Sequence, residues 1–214
     1  MAAPRLVIFD FDGTLADSGR WFLGIVDHLA ERYAFRPVEP HEVEALRDRT
    51  TREVIRHLGI PAWKLPFIAR YVRSLFALHT HEVSLFDGVG AMLEAIEAAG
   101  VPIALVTSNA EINARRILGE HAARIAVWEC AVSLYGKAPR LRRVLRRTGI
   151  AAADTLAIGD ETRDIEAARK VGMQAAGVLW GYASEASLMR CGPDRLFGSP
   201  EEVAGLFGEK VAAN

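Results

Sequence analysis

Asp10 and Asp12 stand two residues apart where a short apolar run, Leu6-Val7-Ile8-Phe9, ends. On an extended chain such residues face the same way, so both carboxylates address one point. Two like charges about 4 Å apart repel by roughly 4 kcal/mol at an effective dielectric of 20, so the pair calls for a cation. Two further apolar runs end in similar chemistry. Ile103–Val106 leads into Thr107, Ser108 and Asn109, and Thr155–Ile158 leads into Gly159, Asp160, Glu161, Thr162, Arg163 and Asp164. If the strand ends lie together, Asp160 and Asp164 add to the negative charge. Hard carboxylate oxygens with no nearby His or Cys favour Mg2+, which also accepts phosphate oxygens. Thr107 offers a hydroxyl donor and Gly13 lets the backbone approach a ligand closely. Lys137 stands out because lysine occurs only at 64, 137, 170 and 210 in a chain otherwise supplied with arginine. A lysine is a compact point charge, suited to a phosphoryl oxygen.

These residues need a frame that brings strand ends together. Four apolar runs read as buried strands: Leu6–Phe9, Ile103–Val106, Thr155–Ile158 and Ala175–Leu179. Helical patterns lie between the later ones, over Val89–Ala99, Asn113–Leu118, Arg140–Arg147 and Ile165–Val171, the first and last stopping at Gly100 and Gly172. Alternation of strand and helix predicts an α/β, Rossmann-like parallel sheet with helices on both faces. In such sheets ligands bind outside the carboxyl ends of the strands. Lys137 is expected on a loop before the third of these strands. The segment from Ala16 to Leu85 shows helical stripes and no strand, with Pro37, Pro40, Pro61 and Pro66 between them. It reads as an all-helical domain, residues 16–85, inserted after the first strand of a core made of residues 1–15 and 86–214. The terminal "EKVAAN" reads as a frayed tail.

Bulk properties narrow the function. The chain has 214 residues, half of them hydrophobic, and a net charge of −1. No basic excess points to nucleic acid, and no charge run suggests an anionic membrane. The apolar run before Asp10 is four residues, against the roughly 7–15 of a signal-peptide core. A cytoplasmic protein is expected. Cys130 and Cys191 are far apart and read as reduced thiols. Oligomeric state is open between monomer and homodimer.

Four stretches taken in order, "DFDGTLADS", "IALVTSN", "YGKAP" and "IGDETRDIEAARKVGM", resemble the four motifs of the haloacid dehalogenase superfamily. "LFDGVGAMLEAIEAAG" is similar to that family's return from cap to core, and "GVLWGYAS" to its phosphoglycolate-phosphatase-like branch. The resemblance implies a helical cap on a core of that family and a two-step phosphoryl transfer to a small phosphorylated metabolite. Asp10 would be the nucleophile and Asp12 the general acid and base. Mg2+ would be held by Asp10, the Asp12 backbone carbonyl, Asp160 and Asp164, with Glu161 an alternative to Asp164. Thr107 and Lys137 would hold the phosphoryl oxygens, with Gly13, Ser108 and Asn109 lining the site. The presence of Asp12 favours phosphate over halide chemistry. Ala138 stands where the family often has proline directly after the motif lysine, which bears on the shape of that loop. A phosphomutase of the β-phosphoglucomutase type would keep the same motifs, and a regulatory protein without activity is a third reading.

Structural roles compete at several positions. Thr107 and Asn109 would also serve as caps of the following helix, and Asp164 as a first-turn acid favoured by the helix dipole. His79 and His81 read as solvated residues near the junction of the two regions. The four tryptophans read as packing residues. Arg47, Arg49 and Arg52 in "LRDRTTREV" fall near the place where that family's cap selects its substrate, and Arg52, with Arg49, is the candidate for reading a second anionic group on the substrate. Thr50 or Thr51 capping a helix with Glu53 just inside is the competing account of that stretch.

Overall fold

The computed structural model describes residues 3–133 and 136–208. Six strands form one parallel sheet in the order β3-β2-β1-β4-β5-β6. They are β1 (Leu6–Phe9), β2 (Ile103–Val106), β3 (Ile125–Glu129), β4 (Thr155–Gly159), β5 (Gln174–Val178) and β6 (Arg195–Phe197). The order reverses direction between β1 and β4, which pair in register from Leu6 opposite Thr155 to Phe9 opposite Ile158. A crevice opens at such a switch point, outside the strand carboxyl ends. Asp10 and Asp160 follow these two strands directly.

The apolar runs are uninterrupted because both faces of the sheet are covered. Val7, Phe9, Ile103, Leu105, Leu156 and Ile158 pack on one side with Val89, Met92, Leu93 and Ile96 of α5 (Val89–Ala98). Leu6, Ile8, Ala104, Val106 and Ala157 pack on the other with Leu141 and Val144 of α7 (Lys137–Thr148) and Ile165 and Ala168 of α8 (Thr162–Val171). The remaining core helices are α6 (Glu111–Leu118), α9 (Glu185–Arg190) and α10 (Pro200–Gly205).

Between β1 and α5 lie α1 (Gly19–Tyr33), α2 (Val43–Arg47), α3 (Thr51–His57) and α4 (Leu65–Leu78), joined by short 3-10 turns, with no strand among them. The two chains that enter and leave this insert run side by side. Asp17 N–H donates to the Ser84 carbonyl at 2.9 Å, Phe86 N–H donates to that of Leu15 at 3.0 Å, and Ala16 bridges Leu85 antiparallel. Trp21 of α1 meets Phe76 of α4 edge-on at 4.5 Å, tying the insert's base into the core.

The sheet has two strands that the apolar runs did not announce. β3 alternates in exposure and ends in Glu129, while β6 is three residues long and begins with an arginine. Lys137 is the first residue of a helix rather than part of a loop, and Pro139 sits in the first turn, where a missing N–H costs nothing. Ala138 is buried against the sheet. Trp63 is 68 % exposed, so it packs no core. Tyr135 of "YGKAP" and the tail from Glu209 lie outside the described residues.

Candidate active site

Asp10 and Asp160 sit at the ends of the two central strands, and Asp164 sits in the first turn of α8 beside them. All three are buried, and one oxygen from each lies within 4.8 Å of the others. Lys137, brought over β1 by the start of α7, reaches Asp10 at 3.0 Å and Asp164 at 2.5 Å. Asp164 also completes a capping box, its Oδ2 accepting the Glu161 N–H at 3.1 Å. Its helix-start role and its place in the cluster are therefore one arrangement. Asp160 accepts from Thr14 Oγ1 at 3.0 Å and from the Tyr182 N–H at 2.9 Å.

The charge balance is short of cations. Burial pushes the Asp10 carboxyl up to about 6, with Asp164 and Asp12 adding to the rise while Lys137 and Arg163 oppose it. Burial also raises Asp160, with Glu161, Asp10 and Asp164 adding to it. Burial works against the Lys137 ammonium, but Asp10 and Asp164 hold it above its usual value. Three buried oxygens of hard character, in a place that favours more positive charge, fit a small divalent cation.

Asp12 is not one of these three carboxylates. Its Oδ1 accepts from Ser18 Oγ at 3.0 Å, and Asn109 Nδ2 donates to both its oxygens at 3.2 Å. Burial raises its carboxyl, against the lowering by the Ser18 and Asn109 bonds. A group that can hold a proton thus sits next to one that can attack.

The other candidates divide. Thr107 is buried at the end of β2, and its hydroxyl accepts the Asn109 N–H at 2.9 Å. It does not cap α6, whose N-cap is Ala110. Asn109 accepts the Ala110 N–H through Oδ1 and holds Asp12 through Nδ2, so it serves both the local turn and the site. The carbonyl of Ser108 accepts from Arg73 of the insert at 3.5 Å. Gly13 has a φ of +80°, and a Cβ there would collide with Asp160 Oδ2, so only glycine fits. Glu161 turns to the insert, accepting from Thr51 Oγ1 at 2.5 Å and from Arg163 at 2.7 Å. Asp164, and not Glu161, belongs to the group of three carboxylates whose oxygens lie within 4.8 Å of one another. Arg49 and Arg52 are both exposed on the insert. Thr50 caps α3 in a box with Glu53, bearing out that reading of the stretch. His79 pairs with Glu82 at the surface at 2.7 Å.

Sequence reasoning gave no role to Arg163 or Tyr182, and it weighed Arg47 only beside Arg49 and Arg52. Burial works against the Arg163 guanidinium, but Glu161, Asp164, Asp10 and Asp160 together hold it well above its ordinary value. Its signal was an arginine between two motif carboxylates. Arg47 joins insert to core, donating to the carbonyls of Tyr182 at 3.1 Å and Gly181 at 3.3 Å. No spacing rule reaches across those 135 residues.

A phosphoglycolate phosphatase of Synechococcus elongatus is 29% identical over 201 residues, covering 93% of this chain and 95% of the relative. The tyrosine-protein kinase PtkA of Mycobacterium bovis is 31% identical over 185 residues, covering 84% of this chain and 64% of that protein. The structure of a haloacid dehalogenase-like family hydrolase from Streptococcus pneumoniae shares the fold with a TM-score of 0.77 and 21% identity, over 97% of this chain and all of the other. Residues 7–178, from the first strand through the fifth, match the family model of the haloacid dehalogenase-like hydrolases, and the chain belongs to that family.

Proposed function

We propose that this hydrolase is a Mg2+-dependent phosphatase acting on a small phosphomonoester of the phosphoglycolate kind, with Asp10 as nucleophile. The observation that carries the reading is the contact of Lys137 with both Asp10 and Asp164, beside Asp160. An attacking carboxylate, a cation for phosphoryl oxygens and a divalent-cation donor set meet there at one switch point. Asp10, Asp160 and Asp164, with the Asp12 backbone carbonyl, would hold Mg2+, which supplies charge neutralisation to the phosphoryl group when bound.

An Asp10 oxygen attacks phosphorus, the ester P–O bond breaks, and Asp12 delivers its proton to the departing alkoxide. Asp12, now ionised, takes a proton from the water that attacks the aspartyl-phosphate. Inorganic phosphate leaves and the Asp10 carboxylate returns. Thr107, Ser108 and Lys137 hold the phosphoryl oxygens through both steps. Residues 16–85 act as a cap that closes over the core and excludes water. Arg49 and Arg52 lie on this cap, where a second anionic group of the substrate would be read. Kinship to a protein named a kinase makes the acceptor the variable to measure: water for a phosphatase, a side chain otherwise.

The test is phosphate release from p-nitrophenyl phosphate and phosphoglycolate, with Mg2+ and with EDTA, by the wild type and Asp10→Asn. The wild type should turn over only with metal, and the variant should lose at least about 10⁴-fold, as enzymes do without their nucleophile. A folded wild type that releases no phosphate with metal present, or a variant that keeps its activity, refutes the reading.

A further inference from the structure

Tyr182 touches three parts of the molecule. Its N–H donates to Asp160 at 2.9 Å, and its carbonyl accepts from Arg47 of the insert at 3.1 Å. Its hydroxyl lies 2.6 Å from Ser18 Oγ, which in turn lies 3.0 Å from Asp12 Oδ1. Ser18 gives its one hydroxyl proton to Asp12, so the proton between Ser18 and Tyr182 comes from Tyr182. The chain therefore runs one way, from Tyr182 through Ser18 to Asp12. The ring's seat is made by two glycines. A Cβ on Gly19 would come to 2.9 Å of a ring carbon, and one on Gly13 to 3.0 Å.

Asp12 is thus held from two sides. Asn109 grips it from the end of β2. Ser18 and Tyr182 grip it from the side where the insert meets the core. The same short segment makes further contacts with the insert: the Ser184 N–H donates to the Arg47 carbonyl at 3.0 Å, and the Ser184 hydroxyl bonds to Asp48. Both grips reach the insert: on the Asn109 side, Asn113 Nδ2 donates to Asn109 Oδ1 at 3.1 Å and to the carbonyl of Arg73 of the insert at 3.3 Å.

We propose that Tyr182 is a positioning residue: it orients Asp12 through Ser18 and, through Arg47, ties that orientation to the seating of the insert. The inference rests on Asp12 being the proton donor. Proton donation matters most for a poor leaving group, so its loss should fall on alkyl phosphates and spare an aryl phosphate whose phenolate leaves unaided. A role in folding alone would lower both alike.

The experiment measures kcat and KM with Mg2+ for p-nitrophenyl phosphate and for the fastest alkyl phosphate among phosphoglycolate, glycerol phosphate and ethyl phosphate. The variants are Asp12→Asn, Tyr182→Phe, Gly19→Ala and Arg47→Gln. Tyr182→Phe removes one oxygen and leaves the backbone bonds to Asp160 and Arg47 in place. It should lose about tenfold in kcat/KM, which excludes the hydrolysis step common to both substrates, on the alkyl phosphate and less than about threefold on the aryl one, a fraction of what a general acid supplies. Gly19→Ala keeps the hydroxyl but displaces the ring, and should show the same bias, so the test survives a Tyr182→Phe chain that does not fold. Arg47→Gln should lean the same way and add little on top of Tyr182→Phe. If Asp12→Asn shows the bias while Tyr182→Phe and Gly19→Ala lower both substrates equally, the positioning role is wrong and Asp12 remains the acid. If Asp12→Asn shows no bias, the acid assignment falls and the inference falls with it.

Discussion

Carboxylates at the strand ends and carboxylates on the insert are perturbed in opposite directions. At the strand ends, burial is the largest influence on Asp10, Asp12 and Asp160, and it raises all three. On the insert, Glu42, Glu53 and Glu82 are all lowered, each chiefly by a single hydrogen bond: from Arg36, from the Thr50 N–H and from His79. The site carboxylates are held by a rigid sheet in a place that does not suit their charge. The insert carboxylates are surface groups that organise the ends of short helices. The first arrangement stores an affinity for a cation or a proton, and the second stabilises the insert with contacts that water can replace.

Removing Lys137 should break this contrast most severely. Its side chain is 13 % exposed and neutralises two buried carboxylates, so Lys137→Ala leaves them facing each other. A buried pair broken on one side costs about 3 kcal/mol. Thermal unfolding without metal should show that loss, and Mg2+ should recover more stability in the variant than in the wild type. Equal recovery in both chains would mean that metal and lysine do not share a charge deficit.

The parts legible in the sequence were those governed by local pattern. β1, β2, β4 and β5 carry apolar residues on both faces, and Asp10, Asp160 and Asp164 follow two of those strands at short range. β3 could not be seen that way, because an edge strand alternates and Glu129 closes it. β6, as Arg195-Leu196-Phe197, is too short to show a period. Lys137 could be picked out by its rarity, but not its place at a helix start, since Ala138 and Pro139 looked like loop residues. Arg47 and Tyr182 gain their meaning from contacts 135 and 164 residues away, which only the fold creates. Arg49 and Arg52 share their stretch with Arg47, and nothing in the spacing says which of the three faces the core.

Glu129 sharpens the comparison by a smaller step, because it is a core carboxylate outside the site. It is 4 % exposed at the end of β3, yet it is fully matched: Arg140, Arg143 and Arg147 of α7 reach it at 3.0, 3.2 and 3.4 Å. Its pairing fixes α7, the helix that carries Lys137. Glu129→Gln should cost about 2 kcal/mol, below the full price of a buried pair because the arginines are half exposed. Denaturant unfolding would measure it. Unlike Lys137→Ala, this variant should respond to Mg2+ as the wild type does, since the charges concerned lie away from the cation site.

The smallest effect is expected at Glu42, and it separates the two regions by pH. Glu42 accepts from Arg36 at 2.7 Å and from His57 at 3.2 Å, linking the segment after α1 to α3. The Arg36 bond, above all, holds its carboxyl down at about 2. A folded-state value below the ordinary 4.5 means a contribution fully present above that pH and lost as pH falls toward 2. Acid acts in the other sense on Asp10, whose carboxyl burial pushes up to about 6, so that protonation in the folded metal-free chain relieves the cost of its buried charge. Lowering the pH from 5 to 3 should therefore loosen the insert first. Hydrogen exchange should show amides of α2 and α3 losing protection while those of β1 and β4 keep theirs, and Glu42→Gln should flatten much of that pH dependence. If the sheet amides follow the same curve, insert and core open as one unit. The insert could then not move independently enough to serve as a cap, and the coupling assigned to Arg47 and Tyr182 would act within a rigid body.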